Sequence, residues 1–177
     1  CYGIPKKYPS KETDLVDPKY PYALSKYLGE EICIHFAKLY KMKINSLRLF
    51  NVYGPRARTK GAYGAVFGVF IGQKLNNLPL TIVGDGTQRR DFVYVTDVCD
   101  AFYRCSKSKW SGEIFNVASG NPISVNYISN KISKNRIFIP KRPGEPDMTY
   151  GDPKKIKKNL NWEPKVNINK GIKNILR

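Results

Sequence analysis

Tyr22 and Lys26 stand four residues apart in the stretch Pro-Tyr-Ala-Leu-Ser-Lys-Tyr-Leu-Gly-Glu-Glu, residues 21–31. If the stretch is helical they lie one turn apart on one face, so a phenol and an ammonium can serve the same reacting group. A phenol titrates at about 10 and needs a neighbouring cation to act as a base near neutral pH. Leu24, Leu28, Ile32 and Phe36 form a separate stripe centred about 120° from that pair. One face is expected to pack and another to stay open for chemistry.

The spacing alone carries little weight. With 12 tyrosines in a lysine-heavy chain, chance supplies roughly one or two Tyr-x-x-x-Lys matches. Five occur: Tyr2/Lys6, Tyr22/Lys26, Tyr103/Lys107, Tyr127/Lys131 and Tyr150/Lys154. Pro5 and Pro153 interrupt the first and last. Of the other three, only Tyr22 sits in a long amphipathic frame with a helix-starting proline, Pro21, ahead of it.

That helix is expected over residues 21–41, ending in Lys-Met-Lys, which suits the carboxyl end of a helix dipole. Ile44 to Val52 reads as a buried strand ending in Tyr53-Gly54-Pro55. Helix, short turn and apolar strand make half of a parallel α/β repeat. Ligands gather at the carboxyl ends of such strands, which places Asn51 and Tyr53 near any bound cofactor. Residues 1–20, with Pro5, Pro9 and Pro18, read as an irregular loop.

Gly61-Ala-Tyr-Gly-Ala-Val-Phe-Gly68 imitates a dinucleotide fingerprint but follows a loop instead of a strand, and reads as the start of a helix running to about Asn76. Leu80 to Val83 and Asp91 to Val95 are β-rich runs separated by Gly84-Asp-Gly-Thr87, a hairpin or turn signal. Arg89 and Arg90 beside that turn suit bidentate contact with a diphosphate as well as they suit pairing with an acid. Further elements are expected as a helix from Thr96 to Lys107, a strand from Gly112 to Val117, a helix from Ser124 to Ser133, a strand from Arg136 to Ile139, a rigid turn at Arg142-Pro-Gly-Glu145, and basic helices at 154–160 and 168–176. No internal repeat is visible.

At 177 residues, 41% apolar and 12% aromatic, the chain can bury a core. It opens on Cys-Tyr-Gly without Met, which reads as a fragment. No secretory signal or membrane-spanning run is present, the longest apolar run being Ala65 to Gly72. Four cysteines without a Cys-x-x-Cys pair and a single histidine fit the reduced thiols of a cytoplasmic protein and leave too few soft ligands for zinc. The net charge of +17 would suit nucleic acid. Residues 131–177 carry thirteen basic and four acidic residues, mostly Lys beside Asn without interleaved aromatics, which favours a solvated face over a nucleic-acid platform.

Tyr22-Ala-Leu-Ser-Lys26, Arg48-Leu-Phe-Asn51-Val-Tyr-Gly-Pro-Arg56, Gly84-Asp-Gly-Thr-Gln-Arg-Arg90-Asp-Phe-Val-Tyr-Val-Thr-Asp97, Phe115-Asn-Val-Ala-Ser-Gly120 and Arg142-Pro-Gly-Glu145, in that order, closely resemble the extended short-chain dehydrogenase/reductase family. The nearest branch resembles the nucleotide-sugar epimerases and dehydratases, and UDP-sugar 4-epimerases most of all. The resemblance implies an α/β fold: the carboxyl-terminal part of a Rossmann-type parallel sheet (1–56), then a smaller substrate-binding domain (57–177) with segments returning to the first. It also implies NAD as cofactor, a nucleotide-sugar substrate, and a homodimer in the full-length protein, paired through helices that include residues 21–41.

By the same resemblance Tyr22 is the catalytic acid and base, and Lys26 holds the nicotinamide ribose and supports the phenolate. Hydride passes from the sugar to NAD, a 4-keto sugar forms, and it is reduced on its other face. Phe50 and Val52 fall beside the cofactor. Asn51 meets the sugar and phosphate portion, Arg90 and Arg142 clamp the diphosphate, Glu145 approaches the nucleotide ribose, and Ala65 and Val83 line the base. The family's glycine-rich NAD loop and its Ser/Thr upstream of Cys1 have no counterpart in these residues, so the isolated chain is expected neither to bind NAD tightly nor to turn over. A 4,6-dehydratase or decarboxylase on the same scaffold is the nearest alternative, and a basic nucleic-acid-binding module the non-enzymatic one.

Overall fold

Pro21 opens the first helix, α1 (Pro21–Leu39), with Tyr20 held extended ahead of it, the conformation that a following proline imposes. Lys38 lies in its last turn, and Lys41 adopts a positive φ of 53° beyond it. The computed structural model describes residues 1–5, 7–59, 65–141 and 144–176. After α1 come β1 (Ser46–Leu49), β2 (Asn51–Tyr53), α2 (Val66–Leu75), β3 (Leu80–Val83), β4 (Arg89–Tyr94) and α3 (Val95–Lys107). Then follow β5 (Ile114–Val117), β6 (Pro122–Ser124), α4 (Val125–Ile132), β7 (Arg136–Ile139), β8 (Met148–Thr149), α5 (Lys154–Leu160) and α6 (Ile168–Ile175).

The run expected as one strand from Ile44 to Val52 changes partner midway. β1 pairs in parallel with β5, Leu47 opposite Phe115. Phe50 still donates its N–H to Val117 O at 3.1 Å, after which β2 pairs in parallel with β4, Asn51 opposite Phe92. β4 also carries β6 antiparallel and β8 parallel. It is the hub because successive residues face opposite ways: Phe92 and Tyr94 enter a core with Tyr53, Phe67, Phe70, Leu80 and Ile128, while Val93 enters another with Phe115, Val117, Ile156 and Trp162.

Of the hairpin or turn expected at Gly84-Asp-Gly-Thr87 the turn forms, since β3 takes β7 and not β4 as its partner. The motif is a turn between two sheets. Gly84 and Gly86 take φ of 63° and 74°, which glycine adopts without strain. Asp85 Oδ1 closes the turn on the Thr87 N–H and hydroxyl. The helix expected to start within 61–68 begins at Val66, and residues 61–64 and Arg142 lie outside the described residues.

A second correction concerns α1. Leu24, Leu28, Ile32 and Phe36, expected to pack, are 43–59% exposed. The buried face carries Glu30, Ile34 and Ala37. On that face Glu30 pairs with Arg48 of β1. No described helix is long and apolar enough to cross a membrane.

Candidate active site

α1 places Lys26 Nζ 5.3 Å from the centroid of the Tyr22 ring, within the range at which an aromatic face attracts a cation. Ammonium and phenol therefore share one side of the helix. Both line a cleft of about 720 Å³, together with Phe50, Asn51 and Thr149. Glycine at 151 shapes its wall, since a Cβ there would come within 2.5 Å of the Phe50 ring.

Tyr127 and Lys131 on α4 repeat the local geometry, with Nζ 5.5 Å from the ring centroid. The Tyr127 hydroxyl, however, donates to Asn169 Oδ1 at 2.7 Å, and Lys131 borders a shallow depression beside α6. Surroundings separate the two pairs; spacing does not.

Arg90 is brought to the same region by strand register. Its partner on β8 is Thr149, which lines the Tyr22 cleft. The Arg90 side chain is 10% exposed, and its Nη2 donates to Glu145 Oε1 at 2.8 Å. Gly144, at φ 75°, lies so close to the Tyr20 hydroxyl that a Cβ would collide with it, which ties the 144–145 turn to the start of α1. Glu145 and Val83 also line a neighbouring depression of about 440 Å³, with Gln88 and Lys141. Tyr22, Lys26, Phe50 and Asn51 thus line one cleft, Val83 and Glu145 line a second depression, and Arg90, paired with Glu145 and in register with Thr149, stands between residues of the two.

Three expected positions fall elsewhere. Tyr53, expected near a cofactor, is buried in the core with Phe67 and Phe92 and lines neither depression. Val52 packs against the core around Val93 and Phe115, where β2 has left β5 and pairs with β4. Ala65 is the exposed N-cap residue of α2 and lines neither depression.

Of the buried carboxylates Glu30, Asp91, Asp97 and Asp152, none was expected from the sequence to be buried, and two adjoin the residues of interest. Asp91, fully buried on β4, accepts from the Ser119 N–H and hydroxyl and from the Gly120 and Gly151 N–H groups. Burial pushes its pKa up despite those donors, and it locks the loops beside Arg90. Glu30 accepts from Arg48 Nη2 at 2.6 Å and Nε at 3.0 Å, and from Ser46 Oγ at 2.8 Å. Burial alone would raise its pKa, but these hydrogen bonds outweigh it and the net shift is downward. The recurrence of Tyr22, Lys26 and Glu30 at four-residue intervals was the available signal.

A tyrosine–lysine helix laid against parallel α/β strands, its pair opening into a cleft lined along β1 to Asn51, matches the extended short-chain dehydrogenase/reductase class. A family model described as GDP-mannose 4,6 dehydratase matches residues 1–175, and the chain belongs to that family of nucleotide-sugar epimerases and dehydratases. It is 33% identical over 177 residues to the UDP-glucose 4-epimerase of Mycolicibacterium smegmatis, covering 97% of this chain and 56% of that protein. Its fold matches the UDP-glucose 4-epimerase of Thermotoga maritima, solved with UDP-glucose, at a TM-score of 0.91 and 33% identity, over 98% of this chain and 58% of the other. It also matches the UDP-glucuronic acid 4-epimerase of Bacillus cereus, solved with UDP-glucuronic acid and NAD, at 0.87 and 34%, over 98% and 56%. The chain spans little more than half the length of these relatives.

Proposed function

We propose that this chain supplies the catalytic helix and most of the substrate-binding side of an NAD-dependent nucleotide-sugar 4-epimerase acting on a UDP-glucose or UDP-N-acetylglucosamine type of substrate. The observation that carries the reading is the Tyr22–Lys26 pair opening into the cleft shared with Asn51 and Thr149, the register partner of Arg90. The residues fit the cofactor: an ammonium beside a phenol suits the diol of a nicotinamide ribose, and Phe50 offers an apolar wall. When bound, NAD supplies the hydride acceptor and donor at the sugar carbon. Tyr22 takes the proton from the sugar hydroxyl and later returns it. Lys26 supports the phenolate by its positive charge. Arg90 meets the diphosphate, exchanging or sharing its contact with Glu145, and Arg142 is assigned the second phosphate contact.

Residues 1–56 are assigned to the cofactor domain and 57–177 mainly to the substrate domain, in a cytoplasmic homodimer paired through α1. The family model's own description favours a second reading, a 4,6-dehydratase. Incubating the full-length enzyme with UDP-glucose, UDP-N-acetylglucosamine and GDP-mannose, and identifying products by NMR and mass, separates them. An inverted C4 supports the epimerase; loss of one water supports the dehydratase.

A further inference from the structure

Glu30 stands one helical turn beyond Lys26 and two beyond Tyr22, yet its carboxylate turns inward, with the side chain 6% exposed. Arg48 grips it with two nitrogens, is itself 8% exposed, and rests its guanidinium 4.7 Å from the centroid of the Tyr2 ring. The Tyr2 hydroxyl donates to Asn116 Oδ1 on β5 at 2.7 Å. Asn116 N donates to Glu12 Oε1 at 2.7 Å, and Asn116 Nδ2 to Ser10 O at 2.9 Å. One chain of contacts therefore runs from the Tyr22 helix through β1 to Tyr2, Ser10 and Glu12 and to β5.

A buried ion pair is a weak stabilising device, since apolar residues of the same shape often serve as well. Its distinctive property is direction: a two-nitrogen fork on a carboxylate has one good alignment. The inward face of α1 also carries half-buried Ala23 and Tyr27 and buried Ile34 and Ala37, but apolar burial is non-directional, so among the described contacts of that face the Arg48 fork is the one that sets a rotation. One residue of turn about the helix axis, about 100°, carries Tyr22 out of the cleft.

We propose that Glu30 and Arg48 are a positioning pair, which fixes the rotation of α1 so that the Tyr22 hydroxyl meets the sugar, with Tyr2 tying that setting to Asn116 on β5. The proposal rests on the catalytic reading of Tyr22 and concerns how that residue is aimed.

The test uses the full-length enzyme and the variants Glu30→Gln, Arg48→Lys, the double apolar replacement Glu30→Met/Arg48→Met, and Tyr22→Phe. Rates are expressed per nucleotide-binding site, counted by calorimetric titration with UDP, so loss of folded protein does not register. Aiming predicts a fall in kcat of about 100-fold in all three Glu30/Arg48 variants, Arg48→Lys included although it keeps the charge. The KM for the nucleotide-sugar should stay within about twofold, because Arg90 binds its diphosphate at a distance from the pair. A wild-type kcat per site, or a KM change as large as the kcat change, overturns the proposal. So does failure of the apolar double variant to fold, which would make the pair a folding device. If Tyr22→Phe retains wild-type kcat, the catalytic reading falls and takes this one with it; if Tyr22→Phe is inactive while the Glu30 and Arg48 variants are not, only the positioning role falls.

Discussion

Asp91 and Tyr53 show two opposite ways of burying oxygen on neighbouring strands. Asp91 is surrounded by donors from Ser119, Gly120 and Gly151, so Asp91→Asn turns one acceptor into a donor facing backbone N–H groups. The expected loss is about 2–3 kcal/mol, read from urea unfolding of the full-length enzyme; a loss well under that would mean the loops hold without it. The Tyr53 hydroxyl is buried without a partner among the described residues, pressed against Gly171 of α6. Burial pushes its pKa up, and Tyr94 and Asp97 add to the shift. Tyr53→Phe removes only an unsatisfied group and should raise stability by about 1 kcal/mol, seen as a higher Tm. A drop in Tm would show that a bound water satisfies the hydroxyl. At this scale the sequence was most informative where a residue's neighbours are local: Tyr22 and Lys26 meet because a helix puts them together. It was silent on Asp91 and Glu30, whose partners lie on other elements.

Among the elements, α1 carries two predictions. The Glu30 pKa is lowered on folding, so its contribution to stability is present above the unfolded carboxyl value of about 4.3 and is lost as pH falls below that through the lower folded value. Amide protection in α1, taken relative to the intrinsic exchange rate at each pH, should fall across that acid window in the wild type, and Glu30→Gln should remove this component; an unchanged acid profile in Glu30→Gln would refute it. The exposed stripe Leu24, Leu28, Ile32 and Phe36 is the surface assigned to the dimer. Leu28→Glu/Ile32→Glu should therefore convert the full-length enzyme to monomer in sedimentation, and a persisting dimer would move the interface elsewhere. The periodicity of α1 announced the helix and its apolar stripe, but not which face turns inward, because that face meets partners such as Arg48 on another element. Likewise Ile44 to Val52 was legible as extended, while the change of partner at Phe50 depends on β5 and β4, far along the chain. β6 and β8 are three and two residues long; pairing with β4 makes them strands, and so short a run has no period to read.

For the molecule as a whole, the order of five motifs outweighed the net charge of +17 as a guide, because charge describes a surface whereas ordered motifs describe a site. The fold puts the Tyr22 helix and the Asn51 junction on one cleft, and the Arg90 strand and the 144–145 turn touch its neighbours through Thr149, Glu145 and Tyr20. Val52 and Tyr53 lie in the two cores and Ala65 caps α2, away from the residues that line that cleft. The central claim is that Tyr22 moves the proton in a nucleotide-sugar epimerisation, and its most direct test is NMR of the full-length enzyme incubated with UDP-glucose, wild type against Tyr22→Phe, with UDP affinity measured in parallel. The account predicts accumulation of the C4 epimer in the wild type and a rate about 1000-fold lower in Tyr22→Phe at unchanged UDP affinity. A Tyr22→Phe enzyme that epimerises at the wild-type rate would contradict it.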